Sequence, residues 1–174
     1  FNEPLNREYS QDRVCYRDFM ILMASAIREV DPAATLIVES NACGSQEGFD
    51  VKSRFGFVAM TPIPFDNVIY SVHMYWPLSF THQGIGKGQG EFAPVVYPGT
   101  NTPSGRRLDK DALREALRPV REFQLLYGAR IWVGEFSAAA WAPGADRYLA
   151  DLIALFEEYG WDWSYHSFRE NVIW

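Results

Sequence analysis

Three carboxylates and two imidazoles stand where strand ends would place reactive groups. Glu39 closes the apolar run Thr35-Leu36-Ile37-Val38. His73 closes Val68-Ile69-Tyr70-Ser71-Val72, with Tyr75 two residues on, and Glu135 closes Arg130-Ile131-Trp132-Val133-Gly134. Glu3 precedes Pro4 at the head of what reads as a shortened strand, and Ser164 to His166 end a last run that opens at Trp161. A carboxylate at the mouth of a buried sheet is costly unless it is paired or used, because desolvation disfavours its charge. Glu135 is the sharpest instance, since nothing else in its run requires it to end in a charge. A solvated or helix-capping carboxylate is the alternative for it. Two carboxylates at neighbouring strand ends suit acid/base and nucleophilic work on a glycosidic bond.

Other chemistries fit less well. The histidines His73, His82 and His166 form neither H-E-x-x-H nor an i, i+4 pair, so no metal centre is expected, and no cofactor either. Gly134-Glu135-Phe136-Ser137 is not the G-x-S-x-G turn of a serine hydrolase. Gly84, Gly86, Gly88 and Gly90 alternate, but Lys87 is followed by Gly88 rather than Ser or Thr, so no P-loop is formed. That segment reads as a mobile lid or as a simple solvated connection, the commoner case. Lys plus Arg number 16 against 22 Asp plus Glu, a net charge of −6, which argues against nucleic acid as a partner. Cys15 and Cys43 make no C-x-x-C pair, and only parity supports a bridge between them. No run of about 18 apolar residues predicts a membrane-spanning helix. Aromatic residues reach 16%, a surplus that serves sugar stacking or a Trp-rich core. The chain opens Phe1-Asn2-Glu3-Pro4, without Met or a basic-then-apolar leader, so its localisation is not legible.

The elements that must position these groups are read from periodicity. Gln11 to Val30 is expected as a helix with Met20, Met23, Ile27 and Val30 on its core face, widened by Phe19, Leu22 and Ala26, and stopped by Asp31-Pro32. Thr35 to Glu39 and Val68 to His73 read as strands covered on both faces. A short helix is expected over 52–59, and a long loop over 74–108. Asp109 can cap a helix running to Tyr127, kinked at Pro119 and stopped by Gly128. Arg130 to Glu135 is a strand, Asp146 to Tyr159 a helix ended by Gly160, and Trp161 to Tyr165 the last strand. Buried strands alternating with amphipathic helices give an α/β fold with a parallel sheet. Functional residues then gather at the C-terminal strand ends.

Asn2-Glu3-Pro4, His73-x-Tyr75 and Val133-Gly134-Glu135-Phe136 occur in the order and at about the spacing seen in glycoside hydrolase family five. On these motifs, which span nearly the whole chain, the sequence resembles that cellulase-like family of retaining glycosidases. The resemblance implies part of a (β/α)₈ TIM barrel, with strands corresponding to strands four to eight of the family. It implies Glu3 as general acid/base, Glu135 as nucleophile, Asn2 as a ligand of the sugar 2-hydroxyl, and His73 and Tyr75 as supporting residues. His166 falls near the place where the family commonly presents a stacking Trp, with Trp163 three residues earlier. The implied partner is a β-linked oligo- or polysaccharide. A Tyr75 hydroxyl donating to Glu135 would favour the carboxylate form that a nucleophile needs, and burial beside ionised Glu135 would keep Glu3 protonated.

A complete barrel of this kind typically takes about 250 residues, and this chain has 174. The expectation is one truncated catalytic domain over residues 1–174, a C-terminal half-barrel. The alternatives are a catalytically silent half-barrel that at most binds sugar, and an unrelated doubly wound domain. Open strand edges and an uncovered inner layer would leave several of Leu36, Ile37, Val38, Ile69, Val72, Ile131 and Val133 in water. Each is worth about 1.5–3 kcal/mol when buried. Pairing with a second copy as a homodimer is therefore expected.

Overall fold

In a computed structural model, residues 16–39, 62–85, 94–100, 102–168, 170 and 172–174 are described. Helix α1 spans Tyr16–Val30 and ends where proline demands: Asp31 N–H donates to the Ile27 carbonyl, and the Asp31 carboxylate then accepts from Ala33 N–H at 2.9 Å. Strand β1, Leu36–Glu39, follows. Strand β2, Val68–Met74, pairs with it in parallel, in the register Leu36 with Val68 through Glu39 with Ser71. Asn67 sets that register. Its carbonyl accepts from Leu36 N–H, while its side-chain amide donates to the Ala33 carbonyl and to Thr35 Oγ1.

Helix α2 is one turn, Leu78–Thr81, inside the segment expected to be an unbroken loop. Gly99 and Leu108 form an antiparallel bridge in the same segment. Helix α3 spans Lys110–Tyr127 and strand β3 Arg130–Phe136. Helix α4 spans Ala145–Tyr159 and strand β4 only Asp162–Trp163, shorter than the run Trp161 to Tyr165 suggests. The sheet is ordered β1-β2-β3-β4. Each strand neighbours the next in sequence, and among the described residues helices lie between β2 and β3 and between β3 and β4, the pattern of consecutive parallel β/α units. The expected helix over 52–59 and both cysteines lie outside the described residues.

The helix ends follow local rules. Asp109 Oδ1 accepts from Ala112 N–H at 3.1 Å, an N-cap that satisfies a donor with no partner in the helix, and Arg107 holds the other oxygen at 2.5 Å. Pro119 is accommodated inside α3. Past α3, Gly128 takes φ 61° and Ala129 N–H donates to the Gln124 carbonyl. Past α4, Gly160 takes φ 67°, and Gly160 and Trp161 N–H donate to Glu157 and Phe156 carbonyls. These are Schellman closures. The second carries its customary apolar contact, with the Trp161 and Phe156 rings stacked at 6.2 Å. Helix α4 begins on Gly144 at φ 86°, where any Cβ would collide with the carbonyl oxygen of Tyr97.

The chain divides into two compact units, residues 1–72 with 119–132 and residues 73–118 with 133–174. In the second, the core is aromatic. Phe80, Tyr97 and Tyr148 lie with ring centroids 5.0–6.0 Å apart, and Phe136 meets Phe156 edge-on at 5.1 Å. The phenols are satisfied there: Tyr97 Oη donates to Asp151 at 2.7 Å and Tyr148 Oη to the Trp76 carbonyl at 2.7 Å. Burial, and then the Asp151 carboxylate, push the Tyr97 phenol well above its usual range, so it stays a donor. The bidentate Arg114–Glu158 pair, at 2.5 and 3.0 Å, bridges α3 to α4.

In the first unit, Leu36, Val38 and Tyr70 are buried, and Tyr70 meets Phe123 edge-on at 5.0 Å. The expected core face of α1 is corrected here. Leu22, Met23, Ile27 and Val30 are exposed, Val30 by 88%, while Ala24 is buried. Helical periodicity identifies an apolar stripe but not whether another element covers it. Of the strand residues expected to face water, Ile37 does, at 54%, whereas Leu36, Val38, Val72, Ile131 and Val133 are buried.

The Asp109 cap makes a stability prediction. Asp109→Ala should cost about 0.5–2 kcal/mol in urea unfolding at neutral pH. Hydrogen bonds from Ala112 and Arg107 hold this carboxyl below its usual range, so the stabilisation is complete above the unfolded-state pKa of about 3.9 and lost as pH falls through the lower folded value. The gap between variant and parent should therefore narrow on acidification.

Candidate active site

Glu135 lies at the penultimate position of β3, next to Phe136, whose buried ring packs on Phe156 and Trp163. One strand face is anchored in the core by Phe136, the last residue of the strand, one position past the carboxylate. Tyr75, just past β2, donates its hydroxyl to Glu135 Oε2 at 2.9 Å. His73 Nδ1 stands 3.6 Å from the same oxygen, too long for a hydrogen bond and close enough for an ion pair when the ring is charged. The histidine side chain is 8% exposed and the glutamate side chain 22%, so the carboxylate keeps an opening to solvent.

Tyr75 is itself held from behind. Thr81, fully buried in α2, donates its hydroxyl to the Tyr75 carbonyl at 2.6 Å. The same oxygen lies 2.9 Å from His82 Nδ1. A hydroxyl has one proton, and with that proton on the Tyr75 carbonyl His82 Nδ1 has to be the donor of the bond to Thr81. The His82 ring meets the Tyr75 ring edge-on at 5.2 Å.

Backbone bonds stitch further segments to this platform. Ala139 N–H donates to the Thr81 carbonyl at 2.9 Å and Ala140 N–H to the Ile173 carbonyl at 2.7 Å. Ser164 and His166 N–H reach the Val133 and Phe136 carbonyls. Trp174 follows Ile173, and its ring lies 5.9 Å from Tyr75, 5.3 Å from His82 and 6.3 Å from His166.

The structure thus brings together Glu135, Tyr75 and His73, and places His166 beside them through Trp174. His166 Nε2 also lies 3.9 Å from Glu170. Glu3 and Asn2 lie outside the described residues. Glu39 has a different role from Glu135, accepting from Ser71 Oγ at 3.1 Å on the neighbouring strand. Among the described residues no group of three or more His, Cys, Asp and Glu could hold a metal ion, and no helix is long and apolar enough to cross a membrane. Sequence reasoning missed Thr81, His82 and Trp174. Trp174 belongs to no periodic element, and Thr81 is one polar residue in a single turn of helix, so no pattern marked them.

The cellulase family model, glycosyl hydrolase family 5, matches residues 1–171. The chain belongs to this family. It is 29% identical to endoglucanase C of Acetivibrio thermocellus over 188 aligned residues, which cover 94% of this chain and 52% of that protein. A solved glycoside hydrolase structure superposes with a TM-score of 0.72 at 25% identity, over 97% of this chain and 48% of the other. Thermotoga maritima Cel5A, solved in complex with a mannotriose substrate, shares the fold at a TM-score of 0.67 and 21% identity. The chain therefore spans about half the length of the relatives it matches. The described strands are part of the family's (β/α)₈ barrel, as the motifs imply.

The Thr81 contacts can be tested against a contrasting hydroxyl nearby. Ser137 Oγ is buried with no hydrogen-bond partner among the described residues. Thr81→Val keeps the shape but removes the buried hydroxyl that donates to the Tyr75 carbonyl, and should cost about 1–3 kcal/mol in denaturant unfolding. Ser137→Ala should be neutral or slightly stabilising, since it removes a group already desolvated without compensation.

Proposed function

We propose that this chain carries the catalytic residues of a retaining β-glycoside hydrolase of the endoglucanase kind, with Glu135 as nucleophile and Glu3 as general acid/base. The observation that carries the reading is the Glu135 carboxylate at a strand end, oriented by the Tyr75 hydroxyl and backed by His73. Kinship with the endoglucanases supports a β-linked glucan as substrate.

In this reading a Glu135 oxygen attacks the anomeric carbon. The bond to the leaving sugar breaks, and Glu3 delivers its proton to the departing oxygen. Water then attacks the same carbon, gives its proton to Glu3, and releases Glu135. Retention requires the two carboxyls about 5–5.5 Å apart, a separation that strand ends facing each other across the mouth of a closed barrel can supply. Tyr75 holds the nucleophile in one rotamer, so its orientation is set before substrate arrives. Asn2 contacts the sugar 2-hydroxyl, and His73 and His166 complete the polar wall around the reacting ring.

Glu135→Gln should lower turnover of an aryl β-cellobioside by about 10²–10⁴-fold or more, with the fold intact by circular dichroism. Proton NMR of the first product from the unaltered chain should show the β-anomer. Near-normal turnover by the variant, or an initial α-anomer, overturns the assignment. Sugar binding without any turnover by the unaltered chain favours the catalytically silent reading.

A specific observation also supports self-association. Leu22, Met23, Ile27 and Val30 on α1 and Ile37 on β1, the edge strand among those described, are exposed. Unpaired edges and apolar patches are surfaces that a second copy covers. Sedimentation at micromolar concentration should show a dimer. A well-folded monomer that binds no hydrophobic dye overturns this.

A further inference from the structure

Trp141 lies on the β3–α4 connection, six positions past Glu135, and the assigned catalytic set does not use it. The residue is 44% exposed, one of the large exposed hydrophobic residues of its unit. Its polar edge is nevertheless occupied: Nε1 donates to the Gln83 carbonyl at 2.8 Å. Gln83 is pinned in turn. Its amide donates to the Val95 carbonyl at 3.0 Å and the Phe80 carbonyl at 3.2 Å, and it accepts from Val95 N–H at 3.1 Å. The ring is thus fixed through its only hydrogen-bonding atom, and what it offers to solvent is apolar surface.

The stitching bonds place this ring on the platform that carries Glu135's partner. Ala140, just before Trp141, donates to the carbonyl of Ile173, just before Trp174. Gln83 follows His82, whose ring touches both Tyr75 and Trp174. Trp174 sits against the tyrosine that holds the nucleophile, and Trp141 is one rung of backbone hydrogen bonding away from it.

We infer that Trp141 forms an outer sugar subsite, its fixed indole face stacking on a pyranose of a bound β-glucan chain beyond the ring being cleaved. The inference rests on the hydrolase reading above and adds a recognition residue to it. A pyranose has apolar C–H faces and a polar rim. An indole whose N–H is already satisfied meets such a face without losing a hydrogen bond, and its restraint reduces the ordering cost of binding. Because the hydrogen bond of Trp141 goes to Gln83 and that of Glu135 comes from Tyr75, its effect is expected on chain length and not on the chemical step.

The test is calorimetric binding of cellobiose and cellohexaose, on the unaltered chain and in a Glu135→Gln background that blocks hydrolysis. Trp141→Ala should weaken cellohexaose by about five- to a hundredfold, the range for loss of one aromatic stacking platform under a planar ring ligand, and leave cellobiose nearly unchanged. Trp141→Phe removes the Gln83 bond but keeps an aromatic face, and should retain most of the affinity. Equal loss for both sugars, no loss for either, or a Phe variant as weak as the Ala variant overturns the subsite. In the last case the Gln83 bond, and not the ring face, is what matters. Absence of cellohexaose binding by the unaltered chain also overturns it. Turnover of the short aryl cellobioside, and its loss in Glu135→Gln, report separately on the catalytic assignment.

Discussion

A carboxylate at the end of a buried strand has to be met by a donor, and here Tyr75 meets Glu135. That one bond spans two strand ends, so it constrains both. Glu135 is placed by β3 and by the core ring that follows it. Tyr75 lies just outside β2, and a second layer holds it: a buried threonine on its carbonyl and a histidine ring against its face. Orientation is conveyed inward from a single helical turn to the charged atom.

The two units differ in how they meet the demand for burial. In one, interlocked aromatic rings have their hydroxyls answered by a carboxylate and a backbone carbonyl, so large side chains bury without stranding polar atoms. In the other, β1 and β2 bury one set of side chains while α1 leaves a stripe of leucine, methionine, isoleucine and valine in water.

The sequence was most readable where one residue has one local job. Glu135, His73 and Tyr75 were marked by where apolar runs stop, Asp109 by what a helix start lacks, Gly128 and Gly160 by the left-handed backbone a helix end requires. Family motifs then joined residues far apart in the chain. Burial was less legible. The pattern of α1 names its greasy side correctly, yet coverage depends on what packs there, which periodicity does not encode. Least legible were Thr81, His82 and Trp174. Their importance arises only when three segments remote in sequence are tied together by backbone hydrogen bonds, and such ties depend on loop geometry and not on side-chain type.

The start of α4 has a consequence for engineering. Helices are commonly strengthened by installing serine, threonine, aspartate or asparagine at the N-cap, a substitution usually safe because the position faces outward. At Gly144 that route is closed. The Tyr97 carbonyl occupies the space where a side chain would begin, and the left-handed backbone disfavours any residue that has one. The loop carrying Tyr97 and the head of α4 are pressed together at a point only hydrogen can fill. A saturation library across this chain should therefore return glycine alone at 144, whereas at Gly105, with φ 67° but open space, a side chain meets backbone strain without the collision. Improvements in stability have to be sought elsewhere on the helix.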